Sequence, residues 1–369
     1  NQVNQGHAIT GIKIAKDIDL GNQPWTPIGY GTYFTGKIDG QGYHIYNMYI
    51  NKSDLTEKSN FAGFIGGTNS ESCDIININL SGKIDIPASV AQKTQVGSFV
   101  GKANALGNMI NCHSDVEINI MGAPAYVGGV LAFMKNANIK NCSYSGNITI
   151  ATSGKVTNGI GGILGCTNSS TTGIEAVING CYFDGSIKNN GSEIPKYVAG
   201  INSYSNLSKA AETITNNYVI GTIDCTATDQ GSVYGKTNTT NFDCENNYYY
   251  ADYTLTGKGG IPMKIEEFHS GEVAYLLNGD QMEFLFGQEL DSDDNMPVVY
   301  RGSNRVYKTI FMYNDNEYAV LYNNTEMKFP KNPVPDDSPT FEGWYDEKGN
   351  RYDGNSTTQT DLTLYAKIV

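Results

Sequence analysis

Side chains with catalytic potential are sparse and scattered along this 369-residue chain. No His-Glu-x-x-His motif occurs to place two imidazoles and a carboxylate on one helix face around zinc. No grouping of Ser, His and Asp supports a catalytic triad either. We therefore expect no metallopeptidase centre, no metal site and no cofactor in this chain. The four histidines are His7, His44, His113 and His269.

Paired carboxylates are the next candidates, because glycoside hydrolases hold two carboxyl groups about 5 to 9.5 Å apart. Asp115 and Asp184 occupy equivalent places in the sequence repeat described below, with Ser145 between them. If successive repeats stack about 4.8 Å apart, the two aspartates are about 9.6 Å apart. That distance is the limit for an inverting hydrolase, and two solvated turn carboxylates explain the pattern more simply.

The charge balance excludes several classes of function. The chain has 25 Lys and Arg against 38 Asp and Glu, and a net charge of −13, whereas a nucleic-acid groove needs clustered cations. Residues 1 to 247 contain no Arg, which weakens a polysaccharide lyase, where Arg or Lys acts as the base. No run of 18 apolar residues exists, so we expect no membrane span.

The acidic run Asp291-Ser-Asp-Asp-Asn295 resembles a calcium loop only superficially. Met296 stands where an EF-hand requires Gly, and Gly302 stands where it requires Glu. A solvated linker is the simpler interpretation.

A repeating element must position all these residues, because one kind of short segment recurs along the chain. It combines apolar and small residues, as in Ile160-Gly-Gly-Ile-Leu-Gly165. Its copies recur about every 31 to 38 residues. Their central positions are Gly63, Ser98, Gly129, Gly162, Gly200 and Ser232.

The repeat predicts an all-β solenoid. Behind each of the first five copies lies a second motif, such as Ile139-Lys-Asn-Cys-Ser-Tyr-Ser-Gly146, and an alternating strand follows. About three short strands without a helix cannot bury their own apolar face, so the repeats must stack. The sequence therefore predicts a right-handed parallel β-helix with Gly and Asn at left-handed corners. A propeller blade would need a repeat of about 40 to 50 residues.

Cysteines follow the same register. Cys112, Cys142 and Cys181 share one ladder with Ile78. Sharing a position with Ile indicates small apolar core residues rather than metal ligands or disulfides. We expect free buried thiols, although stacked neighbours are close enough for a disulfide.

The repeat pattern stops near Asn247, which predicts three parts. Residues 1–250 form the β-helix, and residues 251–302 form a closing segment with a short helix at about 271–277. Residues 303–369 show strong alternation and form a small β domain.

Two resemblances cover nearly the whole chain. The Gly-Gly-Ile-Leu-Gly type of segment resembles the GLUG motif of bacterial surface proteins, which also occurs in non-catalytic parts of IgA-specific metallopeptidases. The lead-in Trp25-Thr-Pro-Ile-Gly29 and the segment Ser270–Asn278 are similar to the phrases that open and close such arrays. The last residues resemble an internalin-type B-repeat, which implies a β-grasp-like module. Its matching residues are Phe341, Gly343, Trp344, Tyr345, Thr363, Leu364, Tyr365 and Ala366.

Aromatic residues are the remaining candidates for binding. They cluster in the lead-in and at the end of the array, where exposed rings would stack on sugars or anchor a protein. The alternative, which the pattern favours, is a hydrophobic plug that protects the open ends of the coil stack. The six residues are Trp25, Tyr30, Tyr33, Tyr248, Tyr249 and Tyr250.

The resemblance implies a secreted or cell-surface bacterial protein with an adhesive or scaffolding role. We expect a non-catalytic, adhesin-like protein that binds a host or bacterial surface protein or glycan through one β-helix face. Two alternatives stay open at this point: a carbohydrate-active β-helix enzyme, hydrolase or lyase, and a purely structural surface spacer. The sequence leaves the ligand and the oligomeric state undetermined.

Overall fold

A computed structural model describes residues 2–54, 60–91, 93–153, 157–252, 257–279, 283–292, 296–334 and 340–369. The chain divides into two compact units, Asn1–Pro262 and Met263–Val369. The predicted all-β fold is confirmed: the first unit is a parallel β-helix and the second contains a small β domain. The predicted boundaries at residues 250 and 302 stay predictions.

Strands of successive coils pair in parallel within two sheets, of 23 and 6 strands. The larger sheet comprises Gly11–Lys13, Ile18–Asp19, Lys37–Asp39, His44–Asn51, Ile65–Ile86, Val100–Ser114, Glu117–Ile120, Leu131–Met134, Ala137–Lys140, Ser143–Tyr144, Asn147–Ile150, Thr167–Ser169, Glu175–Asn179, Tyr182–Phe183, Ser186–Asn189, Asn202–Leu207, Ala211–Thr215, Tyr218–Val219, Thr222–Asp224, Tyr234–Thr237, Asn241–Glu245, Tyr248–Tyr250 and Ile261–Met263. The smaller sheet comprises Phe61–Ala62, Thr94–Gly97, Pro124–Gly128, Gly159–Gly161, Tyr197–Ala199 and Asp229–Gly231. Two short 3-10 helices, Val3–Gln5 and Lys52–Asp54, lie in the lead-in.

The register of the coils is the one that the repeat predicts. Ile139 pairs with Met109 in the preceding coil and with Ile178 in the next one. The ladder of small residues is continuous, since the amide of Ser98 donates to Gly129 O and the amide of Gly200 donates to Ser232 O. Regular coils have four short strands of the larger sheet and one of the smaller, rather than about three, because turn residues interrupt the strands.

Asparagine and glycine form the predicted left-handed corners. Five asparagines, one per coil, have φ between 51° and 58°, and Gly180 takes the same place with φ 67°. Side chains link neighbouring corners, because Asn111 Nδ2 donates to Asn77 Oδ1 at 3.0 Å. The five corner asparagines are Asn77, Asn111, Asn141, Asn216 and Asn246.

The cysteine ladder lies in the core, as predicted, and it has a polar role as well. Each thiol donates to a main-chain carbonyl of the preceding coil: Cys112 Sγ to Ile75 O at 3.4 Å and Cys142 Sγ to Met109 O at 3.4 Å. All seven cysteines are free thiols.

Two later coils replace cysteine by a buried asparagine that makes the same bond. Asn217 Nδ2 donates to Ile178 O at 3.2 Å, and Asn247 Nδ2 donates to Ile214 O at 2.8 Å. From Cys112 onward, the ladder therefore provides a side-chain donor to one carbonyl per coil, whether the donor is a thiol or an amide.

The second unit starts with two short helices, Ile265–His269 and Glu272–Asn278; the latter corresponds to the helix predicted at about 271–277. Phe286–Gly287 pairs antiparallel with Val298–Val299. A five-stranded sheet follows, with a core of Phe311, Met327, Trp344 and Leu364. Its strands, in sheet order, are Asn316–Asn323, Tyr307–Tyr313, Leu362–Ile368, Phe341–Tyr345 and Arg351–Tyr352. Asp293, Asp294 and Asn295 of the acidic run lie outside the described residues.

Candidate functional site

The predicted aromatic cluster of the lead-in is only partly accessible. Trp25 stacks on Phe64 with ring centroids 5.3 Å apart, and its Nε1 donates to Phe64 O at 3.0 Å. Tyr30 is 5% exposed, and its hydroxyl accepts a hydrogen bond from Lys52 Nζ at 2.8 Å. Tyr33 is 38% exposed. Of these three residues, Tyr33 is therefore the one whose ring is open to a ligand.

The three tyrosines that end the array are mostly covered. Tyr248 is 5% exposed and Tyr249 is 9% exposed, while Tyr250 is half-buried and its hydroxyl donates to Asp252 Oδ2 at 2.9 Å. Trp25 pairs with the first coils and Tyr249 with the last, so the structure does not bring the two groups together. Burial suits the plug interpretation, and a binding role for these residues stays a prediction.

Asp115 and Asp184 lie at equivalent positions two coils apart, as the register of Ser114, Tyr144 and Phe183 shows. Both aspartates are exposed. They stand on turns at the outside of the coil, which agrees with the interpretation as solvated turn carboxylates.

Sequence reasoning missed a surface where the two sheets of the solenoid meet. On the smaller sheet, one ladder runs through Phe61, Gln95, Tyr126, Gly159 and Tyr197. On the larger sheet, Lys102 pairs with Phe133, and Tyr204 lies further along the same face. We call this surface the aromatic corner; its residues are Phe61, Lys102, Tyr126, Phe133, Tyr197 and Tyr204.

Aromatic contacts cross the aromatic corner from one sheet to the other. The rings of Tyr197 and Tyr204 stack 4.4 Å apart, and those of Tyr126 and Phe133 lie 6.1 Å apart. All four are half-buried, so each presents part of its ring to solvent. Their spacing of about two repeats in sequence is the signal that aligning outward positions of successive coils would have revealed.

Lys102 provides the charge at one end of the aromatic corner. Its Nζ lies 5.1 Å from the ring centroid of Phe61 and 5.6 Å from that of Phe133. Burial, helped by the nearby charge of Lys135, lowers the pKa of Lys102 below its ordinary value. Within the described part of the chain, Lys102 makes no ion pair with a carboxylate. This ammonium group is therefore held by aromatic faces.

A buried carboxyl lies inside the later coils, and sequence reasoning missed it too. Glu212 is fully buried, and its Oε1 accepts hydrogen bonds from Thr167 Oγ1 at 2.6 Å and Asn202 Nδ2 at 2.9 Å. Burial raises the pKa of Glu212 to about 7. Its place in the inner ladder, paired with Ala176, is the signal that marked it as internal.

The structure also bears on metal sites and on membrane-spanning helices. The described residues contain no group of three or more His, Cys, Asp or Glu side chains arranged to hold a metal ion. None of the helices in the described ranges has the length and apolar character needed to cross a bilayer.

Comparison with known proteins links this chain to bacterial proteases. No protein-family model matches it. The chain is 25% identical over 232 residues to the immunoglobulin A1 protease of Streptococcus sanguinis, which covers 61% of this chain and 11% of that protein. It thus spans about a tenth of the length of the curated relative it matches.

One solved structure shares the architecture. A crystal structure of a candidate immunoglobulin A1 protease from Bacteroides ovatus superposes with a TM-score of 0.56 at 17% identity, covering 79% of this chain and 86% of that one. An IgA1 protease structure aligns with a TM-score of 0.44 at 16% identity, over 67% of this chain and 20% of that one. At this identity, the first superposition establishes the solenoid fold alone.

These names contradict two predictions. The expected non-catalytic adhesin and the expected absence of enzyme activity are wrong, because the curated relative is named as a protease. Neither the carbohydrate-active enzyme nor the structural spacer matches those names. Both predictions depended on the absence of a recognisable catalytic group, since the histidines are scattered and the carboxylates are distant. Such an absence does not define what a chain does. The comparisons thus place this solenoid beside proteins named as immunoglobulin A1 proteases.

Proposed function

We propose that this chain takes part in the proteolysis of immunoglobulin A1, and that the aromatic corner holds an extended segment of that substrate. Similarity to the Streptococcus sanguinis protease supports the reaction. The immunoglobulin is a secreted antibody, so the protein acts outside the cell. Attachment to a bacterial surface belongs to the same proposal.

The spacing of aromatic residues carries the assignment of the substrate segment. Aromatic side chains occupy alternate coils of the aromatic corner: Phe61 in one coil, Tyr126 with Phe133 two coils on, and Tyr197 with Tyr204 two further on. Two coil steps are about 9.6 Å. One three-residue turn of a polyproline II helix is about 9.3 Å. An extended chain in this conformation therefore meets an aromatic ring at every turn.

The energetics suit such a ligand. A polyproline II chain has no internal hydrogen bonds and is already extended, so it loses little conformational entropy on binding to an aromatic-lined surface. The half-buried rings are held by contacts between the two sheets, so they too lose little freedom. Preorganisation on both sides favours binding.

We further propose that each of the two units contains the module that its sequence resembles. The ladder of Gly129, Gly162 and Gly200 supports a GLUG-type repeat in the solenoid. The five-stranded sheet around Trp344 supports an internalin-type B-repeat for residues 303–369.

The first test measures cleavage and binding. The chain, and any longer protein that contains it, is incubated with immunoglobulin A1, and fragments are identified by mass spectrometry. Binding of the chain to immobilised immunoglobulin A1 is followed by interferometry. We expect fragments of immunoglobulin A1 in the incubation with the proteolytic protein, and saturable binding of the chain to the immobilised antibody. If immunoglobulin A1 is neither bound nor cleaved, the proposal is wrong.

Variants then test the aromatic corner. Y197A/Y204A removes one stacked pair and is expected to weaken binding about tenfold, or about 1.4 kcal/mol. Y43A is the matched control, because Tyr43 is a 37% exposed tyrosine of the same solenoid outside the aromatic corner. A proline oligomer should compete with immunoglobulin for the unaltered chain. Equal binding by the double variant and the control would place the substrate elsewhere.

A further inference from the structure

A pocket of about 430 Å³ lies at the first coils of the aromatic corner. Its walls include Tyr33, Phe61, Lys93, Gln95 and Lys102. We infer that this pocket binds a carboxylate-bearing sugar, such as a uronic or sialic acid residue of a glycan. The inference goes beyond the proposed proteolysis and does not depend on it.

The charge of the pocket is opposite to that of the chain. The protein has a net charge of −13, yet among the described residues that line the pocket, Lys93 and Lys102 are cationic and none is acidic. Lys135 adds a third positive charge near Lys102. Because a carboxylate can complete the ion pair that the described residues do not offer Lys102, the pocket selects an anion.

Aromatic rings provide an apolar wall beside this charge. Tyr33 and Phe61 lie with ring centroids 6.3 Å apart and planes tilted by 36°. Lys102 Nζ lies 5.1 Å from the Phe61 centroid. A ligand that packs the C–H face of a ring against Tyr33 and Phe61 therefore places a substituent next to the ammonium group. A pyranose with a ring carboxylate has both features in one residue.

Polar side chains in the wall suit the hydroxyl groups of a sugar. Gln95 lines the pocket, and its side chain carries an amide group that can donate to a hydroxyl oxygen. Asn60 and Thr32, also in the wall, can bond further hydroxyls. The volume lies within the usual range of small-molecule sites.

The test uses free sugars and the whole chain, without immunoglobulin. Binding of glucuronic acid, N-acetylneuraminic acid, glucose and a glutamate-rich peptide is measured by ligand-observed NMR titration. We expect saturable binding of at least one acidic sugar, at least about tenfold tighter than glucose. Equal affinity for glucose, stronger binding of a glutamate-rich peptide, or no saturable binding of either acid overturns the inference.

Two substitutions locate the site. K102M removes the charge but keeps an apolar chain over Phe61 and Phe133, so it should fold, and we expect at least about tenfold weaker binding of the acidic sugar. K102R should retain binding. K188M is the matched control, because Lys188 is an exposed lysine of the same solenoid on the strand Ser186–Asn189. If K102M, shown to be folded by circular dichroism, binds like K188M, the sugar does not occupy this pocket. Failure here leaves the cleavage of immunoglobulin A1 untouched, because that assay is separate.

Discussion

Gly162 lies directly against the ring of Phe183, so closely that a Cβ atom on Gly162 would overlap the ring carbons. Gly221 approaches the same ring from another side, where an added Cβ would stand 2.6 Å from Phe183 Cε1. In the preceding coil Gly129 stands in the same way against Tyr144. One coil earlier, Ser98 takes the position of Gly129 and Ser114 takes the position of Tyr144. The two facing ladders are therefore complementary in size, coil by coil.

This complementarity predicts the effect of adding one methyl group. G162A should destabilise the solenoid by about 2 to 3 kcal/mol, because both Phe183 and the carbonyl of Gly200 block the new atom. Urea unfolding followed by far-UV circular dichroism measures the change. G11A is the control, since an added Cβ on Gly11 meets no atom within 4 Å. Equal midpoints for both variants would refute the steric explanation.

Corner conformation predicts a contrast at Asn141. Its φ is 53°, a region that alanine enters at a cost of about 1 to 2 kcal/mol and glycine enters freely. We expect N141A to lose about 1 kcal/mol of unfolding free energy. N141G should stay close to the unaltered protein, because Gly180 holds the equivalent corner one coil later. A thermal shift series on the two variants decides the matter, and a larger loss in N141G than in N141A would contradict it.

The asparagines at the end of the buried ladder predict a second difference in stability between two variants. Asn217 donates to Ile178 O at 3.2 Å and accepts from the amide of Cys181 at 2.8 Å. N217A removes both of these buried hydrogen bonds and should cost about 3 kcal/mol. C181A removes a smaller, weaker donor and should cost about 1 kcal/mol. Urea midpoints rank the two variants, and the reverse order would show that the amide is dispensable.

The buried carboxyl of Glu212 predicts how stability changes with pH. Burial raises its pKa from 4.5 to about 7, so between these pH values the folded chain keeps a proton that the unfolded chain has released. Raising the pH through this interval therefore favours unfolding, by about 3 kcal/mol in total at about 1.4 kcal/mol per unit. Below pH 4.5 both states are protonated and the penalty disappears.

Comparing the unaltered chain with E212Q isolates this contribution. Glutamine keeps an acceptor for Thr167 and Asn202 but does not titrate. We expect the loss of unfolding free energy between pH 5 and pH 8 to be about 3 kcal/mol smaller in E212Q. Identical pH profiles for the two proteins would mean that Glu212 contributes no linkage.

The architecture could be predicted because its determinants recur. Gly162 and its equivalents mark the register, and Asn141 marks a corner whose left-handed backbone few residues tolerate. Cys142 shares a ladder with Ile78, which indicates a place in the core. Each inference depends on one residue and its counterparts a repeat away, which the sequence displays directly.

The candidate sites were harder to predict, because they depend on which side of a coil a single residue faces. Lys102 and Phe133 can be recognised as neighbours only when the outward positions of successive coils are aligned. The aromatic residues at the two ends of the array are more conspicuous in the sequence. Glu212 is a charged residue that pairs with Ala176 in the preceding coil and with Phe242 in the next one, so its type argues for exposure while its position dictates burial. At such residues the side-chain type and the ladder position predict different degrees of burial, and the ladder position gives the correct one.

The buried ladder also has a direction. Each donor reaches back along the chain: Cys112 bonds to Ile75, Cys181 to Ile139 and Asn247 to Ile214. The side-chain donor of each of these coils therefore finds its carbonyl acceptor on a coil that the ribosome has already synthesised. In this ladder, each completed coil provides the acceptor for the side chain of the next one.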